Sequence, residues 1–502
     1  MKKIGLIPLL IFCLVIPGVP VFAYPYPASV RIGLMSYSQS ESIPLSNAAV
    51  SVGYDSGGAF VPYSVFQSYN GFTVRPSGGG QAALYDGANM VAVLGEAGNL
   101  AQVRDANGGY ISLGGTEYRG AMEFHGGGGV TAVNVLSMEE YLYSVVPSEM
   151  SPSFQMEALK AQAVASRSYL LTRKGAHSGQ GFDLCDQGHC QHYDGVSNEN
   201  AASIQAADAT RGMVLTYNGE PINAVYFSSS GGVTDDSENV WNEAVPYLRG
   251  VGDTVEHEPR VWTRSFTMGE ITSLLSAEGH NIGGAVSVAI TRTSPAGRVQ
   301  ELTVNGTAGS VALTKEDIRT FFSASNGGTL ESRNFSITGG NTYPPNAVGA
   351  NTVINPVSAG GNIPPSAPAQ TPPSNAYFSG YIAVTDGFEI LSLPAASLFG
   401  VSAEGVPLPL YAPSVSDGIT TASYDGYDPS GLPGEAVAGS PVPSTGAGLA
   451  VTGVSAGETV TFSGMGWGHG VGMSQCGAEG LARAGYDFYT ILRHYYSGVT
   501  VE

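Results

Sequence analysis

Hydrophobic positions change their spacing several times along the chain. Residues 4–21 are almost continuously apolar behind Met1-Lys2-Lys3 and lead into Val21-Phe22-Ala23. That order predicts a secretory signal peptide over 1–23, and hence a secreted or cell-envelope protein. Left uncleaved, the same run is a membrane anchor. Over 24–130, short runs such as Ser29–Leu34 and Met90–Leu94 alternate apolar and polar between Gly, Asn and Asp clusters. This predicts a β-rich N-terminal region. The spacing turns helical over 152–174, where Leu159, Ala161, Ala163, Val164 and Ala165 are mostly good helix formers. Pro152 or Ser153 suits the first turn, and Arg173, Lys174 and Gly175 supply a cationic last turn and a stop. Further helices are expected around 200–210, 267–278, 315–323 and 477–496. Strands at 213–217 and 222–227 flank Asn218-Gly219, a hairpin signal. Residues 339–376 have linker composition, rich in Pro, Asn, Gly and Ser. Short strand-like pieces continue to 457, so 339–457 is expected to be a linker and insertion.

The fold class expected from this pattern is α+β. It has a β-rich mixed core over 131–338, with one long helix following Glu149. A C-terminal segment, 458–502, completes that core and brings a glycine-rich loop to line a cleft.

Charge narrows the choice of ligand. Asp and Glu number 41 against 21 Lys and Arg, for a net charge of −20, and 12% of residues are charged. A basic face for nucleic acid is excluded, whereas a neutral polymer such as a glycan fits. Past residue 23 the cysteines are Cys185, Cys190 and Cys476. An odd count in a chain this long is not a disulfide framework.

Four stretches carry candidate chemistry. Gly464–Gln475 sets five glycines around Trp467, His469 and Gln475; positive φ there would let a ligand approach the backbone. The same stretch also reads as a glycine-rich turn over a buried Trp. Glu149 precedes the long helix at a loop-to-helix junction, after a Pro147 that stiffens the turn, either as a carboxylate projecting into a cleft or as a helix cap. His177, Cys185, His189 and Cys190 fall at spacings that fit a closed tetrahedral zinc site of structural type, with His192 able to replace either histidine. A Cys185–Cys190 disulfide is the alternative. Ser228, Ser229 and Ser230 precede two glycines, without the spacing of a serine-hydrolase nucleophile; they are glycan hydrogen-bonding groups or merely a turn.

Taken in order, these stretches resemble the SpoIID/LytB family, of the stage II sporulation protein D type. The likeness runs through Asn134–Leu142, Val145–Met150, Glu157–Tyr169, His189-Cys190-Gln191, Phe227–Gly232, Gly466–Gln475 and Ala482–Tyr496. It implies an exported protein acting on bacterial peptidoglycan. One branch consists of lytic transglycosylases that prefer glycan strands stripped of stem peptides; another was described as enhancing cell-wall amidases. The resemblance implies Glu149 as catalytic acid/base. It would protonate the oxygen between N-acetylmuramic acid and N-acetylglucosamine, then accept the proton of the muramic acid 6-hydroxyl as this closes a 1,6-anhydro ring. One carboxylate then suffices, and Glu139, Glu140 and Glu157 read as surface groups. The likeness also implies glycan contacts at Arg167, Ser228, Ser229, Ser230, His469 and Gln475, and zinc on the Cys/His cluster. Expected partners are glycan strands and a cell-wall amidase or other wall-remodelling protein. The competing class is a non-catalytic wall-binding activator of an amidase. A hydrolytic muramidase would need a second carboxylate, and no H-E-x-x-H favours a zinc hydrolase. Cys476, which follows Ser474-Gln475, is expected to be a small buried residue or a further metal ligand.

Overall fold

The computed structural model describes residues 27–95, 101–325, 327–339, 399–401, 407–409 and 458–502. The expected signal peptide, and most of the expected linker and insertion, lie outside these residues. Many strands and few helices make an α+β architecture. The chain divides into two units: residues 1–225 with 485–502, and residues 226–484.

In the first unit the predicted alternation forms two largely antiparallel sheets. One has seven strands, in the order Leu184–Cys185, Val30–Gly33, Thr131–Leu136, Ala121–His125, Gln102–Asp105, Ala49–Ser56 and Ala59–Gln67. The other has six, from Thr116–Tyr118 to Asn89–Val93. Thr131–Leu136 is buried at every position, as a strand covered on both faces must be. Leu184–Cys185 pairs in parallel with Ile32 and Gly33, which fixes one end of the Cys/His stretch to the sheet.

Helix α1 runs from Met138 to Glu149. Ser137 and Glu140 close a capping box at its start. The expectation of a loop through Pro147 is corrected: the helix passes through that residue. A proline near a helix end removes few backbone bonds, and the Ser148 hydroxyl donates to the Ser144 carbonyl at 2.8 Å. Helix α2 spans Met156–Arg173 and stops before Gly175, whose φ is 84°. It starts a turn later than Pro152, because Ser151–Phe154 forms a separate turn. A third helix, Ala201–Ala209, is capped by Asn200. Asn218 (φ 54°) and Gly219 (φ 82°) make the expected two-residue hairpin turn between Leu215–Tyr217 and Glu220–Pro221. The single helix expected over 477–496 is two, Gln475–Arg483 and Phe488–Tyr495. Gly485 (φ 91°) lies between them.

The second unit packs two three-stranded antiparallel sheets and the helix Met268–Ala277 around Phe266, Leu275, Val288, Leu302, Phe322 and Phe462. Thr459–Met465 is the central strand of one sheet, between Val261–Thr267 and Phe335–Gly339. Gly339 pairs with Val460, so the chain leaves the ladder after Gly339 and rejoins it at Thr459, beside the point where it left. Loop-closure entropy rises slowly with length, so an insertion there adds little to the cost of folding.

Three helices of the first unit meet at Arg167. This side chain is wholly buried and forms a two-point pair with Glu139, at 3.1 and 2.7 Å. Its remaining donors reach the carbonyls of Met213 (3.0 Å) and Ala207 (3.3 Å). Two expectations are thereby corrected: Arg167 is sealed from any glycan, and Glu139 is no surface group. Removing one partner of such a pair strands the other charge in the interior. Arg167→Ala should cost about 3–5 kcal/mol in denaturant unfolding of the first unit. A loss under ~1 kcal/mol would show that the pair is not a support.

Candidate functional site

In the first unit, His177, Cys185, His189 and Cys190 converge. Their ligating atoms all lie within 4.8 Å of one another. Cys190 Sγ is 3.4 Å from His177 Nε2 and 3.5 Å from His189 Nδ1, and Cys185 Sγ is 3.8 Å from His189 Nδ1. A tetrahedron with Zn–S of about 2.3 Å and Zn–N of about 2.0–2.1 Å has S···N edges of about 3.5 Å, so this donor set fits a zinc ion. Both cysteines are free thiols. His177 Nδ1 donates to Gln180 Oε1 at 2.8 Å, leaving Nε2 to face the sulfurs; such a partner orients a metal-binding imidazole. Burial pushes the Cys190 thiol up to about 11, and a bound cation is what would favour its thiolate. His192 is exposed and lies outside the four-residue cluster, which corrects its part as an interchangeable ligand.

The residues that follow the cluster alternate direction. Gln191 is fully buried, accepting from Tyr141 Oη at 3.2 Å and donating to the Ser166 carbonyl at 3.4 Å. It thereby ties the segment to both α1 and α2. Tyr193 Oη donates to Asn134 Oδ1 at 2.6 Å. Burial holds the Tyr141 and Tyr193 phenols well above their ordinary range, so both stay protonated donors. Between them the His192 N–H donates to Glu149 Oε1 at 3.0 Å. Glu149, half-buried, is the last residue of α1. It therefore sits at the helix end that favours cations, not at the N-terminus of the next helix as expected. Nearby carboxylates have other partners. Glu139 holds Arg167, Glu140 closes the capping box, and Glu157 pairs with Lys160 and accepts the Phe488 N–H.

In the second unit, the glycine-rich stretch and the serine stretch meet. Phe227–Ser474 and Tyr226–Met473 pair in parallel, and Ser229 bridges Trp467. Gly466, Gly468, Gly470 and Gly472 all have positive φ, as the spacing predicted. At Gly470 a Cβ would come within 2.7 Å of Arg298 Cζ. The buried Arg298 donates from Nη2 to the carbonyls of Ser230 and Val233, while the Asp235 N–H donates to Gly470 O. The guanidinium thus clamps the serine loop, and the Asp235–Gly470 bond ties that segment to the glycine-rich one.

This arrangement redirects most of the expected glycan contacts. Ser229 and Ser230 are buried. The backbone N–H groups of Ser230, Gly231 and Gly232 donate to the Glu256 carboxylate, at 2.6, 2.8 and 3.2 Å, and the Ser230 hydroxyl joins them. The nest that could have taken a ligand oxygen holds the chain's own carboxylate. Ser228 alone of the three keeps appreciable surface. Gln475 is buried at the start of its helix. Cys476 is buried and outside the metal cluster, its thiol pushed by burial up to about 11. Trp467, by contrast, is 47% exposed; it is neither buried nor among the expected contacts. Its place between glycines was the available signal.

His469 is also internal. Its ring lies 5.3 Å from Phe227 and 5.2 Å from Trp241. Nε2–H donates to the Tyr226 carbonyl at 3.1 Å, and Nδ1 accepts the Val471 N–H at 3.2 Å. Both nitrogens are satisfied only in the neutral ring. Burial, with Arg319, Arg298 and Arg333 nearby, lowers its pKa to about 3. An unfolded histidine titrates near ~6.5, so between there and about 3 the unfolded chain binds the extra proton. The stability contributed by neutral His469 is complete above ~6.5 and is lost as pH falls through this window. His469→Asn should flatten the pH dependence of unfolding between pH ~6 and ~4 by about 1 kcal/mol per pH unit. An unchanged slope would mean that His469 titrates normally.

Comparison with known proteins places these two regions. Residues 126–217 match the model of the family described as stage II sporulation protein. Residues 253–348 match a domain of unknown function, DUF8618. The chain is 34% identical over 218 residues to an uncharacterized protein of Brachyspira hyodysenteriae, covering 42% of this chain and 58% of that one. It is 32% identical over 193 residues to stage II sporulation protein D of Bacillus subtilis, covering 35% and 55%. It is 42% identical over 123 residues to the amidase enhancer of Bacillus subtilis, covering 24% and 16%. The chain thus spans little more than half the length of the first two relatives, and far less of the third. Glu149 and all four residues of the Cys/His cluster fall inside the first matched region, the part of the chain that is similar to stage II sporulation protein D.

Proposed function

We propose that this is a cell-wall protein whose first unit cleaves peptidoglycan glycan strands as a lytic transglycosylase, with Glu149 as its single acid/base. The observation that carries the reading is the His192 N–H on Glu149 Oε1 at 3.0 Å. It holds a half-buried carboxylate at a helix end, on a segment fastened by Gln191 and by the Cys/His cluster. Such a carboxyl, once protonated, donates to the oxygen linking muramic acid to glucosamine as that bond breaks. As carboxylate it then takes the proton of the muramic acid 6-hydroxyl, whose oxygen bonds to C1. The proton lent is recovered, no water enters, and no second carboxylate is required. The commitment of Glu139, Glu140 and Glu157 to other partners is consistent with that economy.

A second reading is an activator of a cell-wall amidase. It is favoured by the 42% identity to a relative named for that role. In that case the same surface would bind glycan without turnover.

We assign the four-residue cluster a structural zinc ion. His177, Cys185, His189 and Cys190 would fill its coordination shell, leaving no open position for substrate. The ion would supply a cross-link between the end of α2 and the 185–190 turn. Everything chemical then falls to Glu149.

Glu149→Gln keeps the hydrogen bond from His192 and loses the proton. It should abolish release of anhydro-ended fragments from peptide-free strands, read by mass spectrometry, while leaving the melting temperature within about 2 °C of wild type. Full turnover in the variant would sink the catalytic assignment. Strand binding without cleavage by wild type would put the activator reading first.

Purified protein should carry about one zinc per chain. Chelation should lower the melting temperature by at least about 5 °C, since each ~1 kcal/mol lost moves a unit of this size by ~2–4 °C. A metal-free protein with a mass two hydrogens low would instead identify a Cys185–Cys190 disulfide.

A further inference from the structure

We propose that Trp467 and Arg260 of the second unit form a binding platform for an acidic glycan. The indole would stack on a sugar face and the guanidinium would take a carboxylate. The choice of a wall strand as that glycan rests on the function proposed above.

The platform is built rather than incidental. Trp467 N–H donates to Ser229 O at 2.7 Å, and Ser229 N–H returns a bond to Trp467 O at 3.1 Å. The flanking residues are fixed as well, Gly466 N–H to Arg260 O (2.7 Å) and Gly468 N–H to Glu331 O (2.8 Å). A Cβ on Gly466 would lie 2.8 Å from Ser229 O, and one on Gly468 2.7 Å from Phe227 Cβ. The glycines let the backbone press down on its neighbours, and the indole alone stands clear. Of the other tryptophans, Trp262 is buried and Trp241 packs on His469. An aromatic ring kept in water on an immobile backbone has already met the ordering cost of binding.

Arg260 completes the surface. Its N–H donates to Ser229 Oγ at 3.1 Å, and its guanidinium carbon lies 5.4 Å from the Trp467 ring centroid. Among the described residues it enters no ion pair, whereas Arg249, Arg264, Arg319 and Arg333 of the same unit each face a carboxylate. Acids outnumber bases 41 to 21 in this chain, so internal partners are not scarce. A guanidinium stacked on an aromatic face keeps its N–H edges free for bidentate carboxylate binding. Indole suits the C–H face of a pyranose, and wall strands offer sugars and carboxylates together. A purely neutral strand would use the ring alone.

The test is equilibrium binding of the full chain to peptide-free wall strands, which are acidic, and to neutral N-acetylglucosamine oligomers, followed by tryptophan fluorescence and by calorimetry. Wild type should bind both, the acidic strands more tightly. Trp467→Ala should weaken both by about tenfold or more. Arg260→Gln should weaken only the acidic strands, down to the level of the neutral oligomer. Unchanged affinity in both platform variants, or no binding by wild type, would overturn the proposal. An equal loss of both ligands in Arg260→Gln would overturn its guanidinium half. A turnover-competent Glu149→Gln would remove the catalytic reading and leave these affinities in place.

Discussion

The buried amide of Gln191 is the contact on which the first unit's site depends. Its oxygen takes the Tyr141 hydroxyl from α1 and its nitrogen reaches the Ser166 carbonyl of α2. An unsatisfied amide at that depth would cost more than a net hydrogen bond contributes, so Gln191 has one favourable placement. With Gln191 fixed, the residues on either side have set positions. His189 and Cys190 face the cluster, and the amide of His192 faces Glu149. Glu149, the proposed acid/base, and the Cys/His cluster are then held by two ends of one short segment.

The second unit solves a comparable problem with charge. Its two loops are short of regular backbone pairing, and their polar groups must be satisfied locally. Glu256 accepts three consecutive N–H groups of the serine loop, while Arg298 donates to two of its carbonyls from the other side. The neutral His469 ring bonds at both nitrogens. Side chains that resembled ligand contacts are therefore consumed in holding the loops. What remains outward is Trp467, the residue that none of these bonds requires.

Legibility in the sequence followed the range of the interaction. The convergence of the Cys/His cluster could be read because its four residues lie within fourteen positions, and the chemistry of thiol and imidazole restricts what such a cluster does. The end of α2 and the turn at Asn218-Gly219 could be read because both depend on local backbone preference. Arg167 could not: its partner Glu139 sits on a different helix, and an arginine on an Ala-rich helix looks like a surface charge. Ser229 and Ser230 failed for the same reason, since their partners, the Arg260 N–H and the Glu256 carboxylate, are more than twenty residues away. Pro147 misled in a different way. It argues against helix in general, but in the last turn of α1 it costs the one bond that its own N–H would have made to the Tyr143 carbonyl.

The position of Glu149 at the end of α1 changes what the helix contributes. At a helix N-terminus the backbone would favour the carboxylate and oppose its service as an acid. At the C-terminus the aligned carbonyls oppose a negative charge, while the N–H from His192 supports it. The first turns on where α1 stops, the second on where the 189–193 segment lies. Both are set by the same buried contacts among α1, α2 and Gln191, so the packing of the unit and the proposed chemistry of its carboxyl group are one constraint.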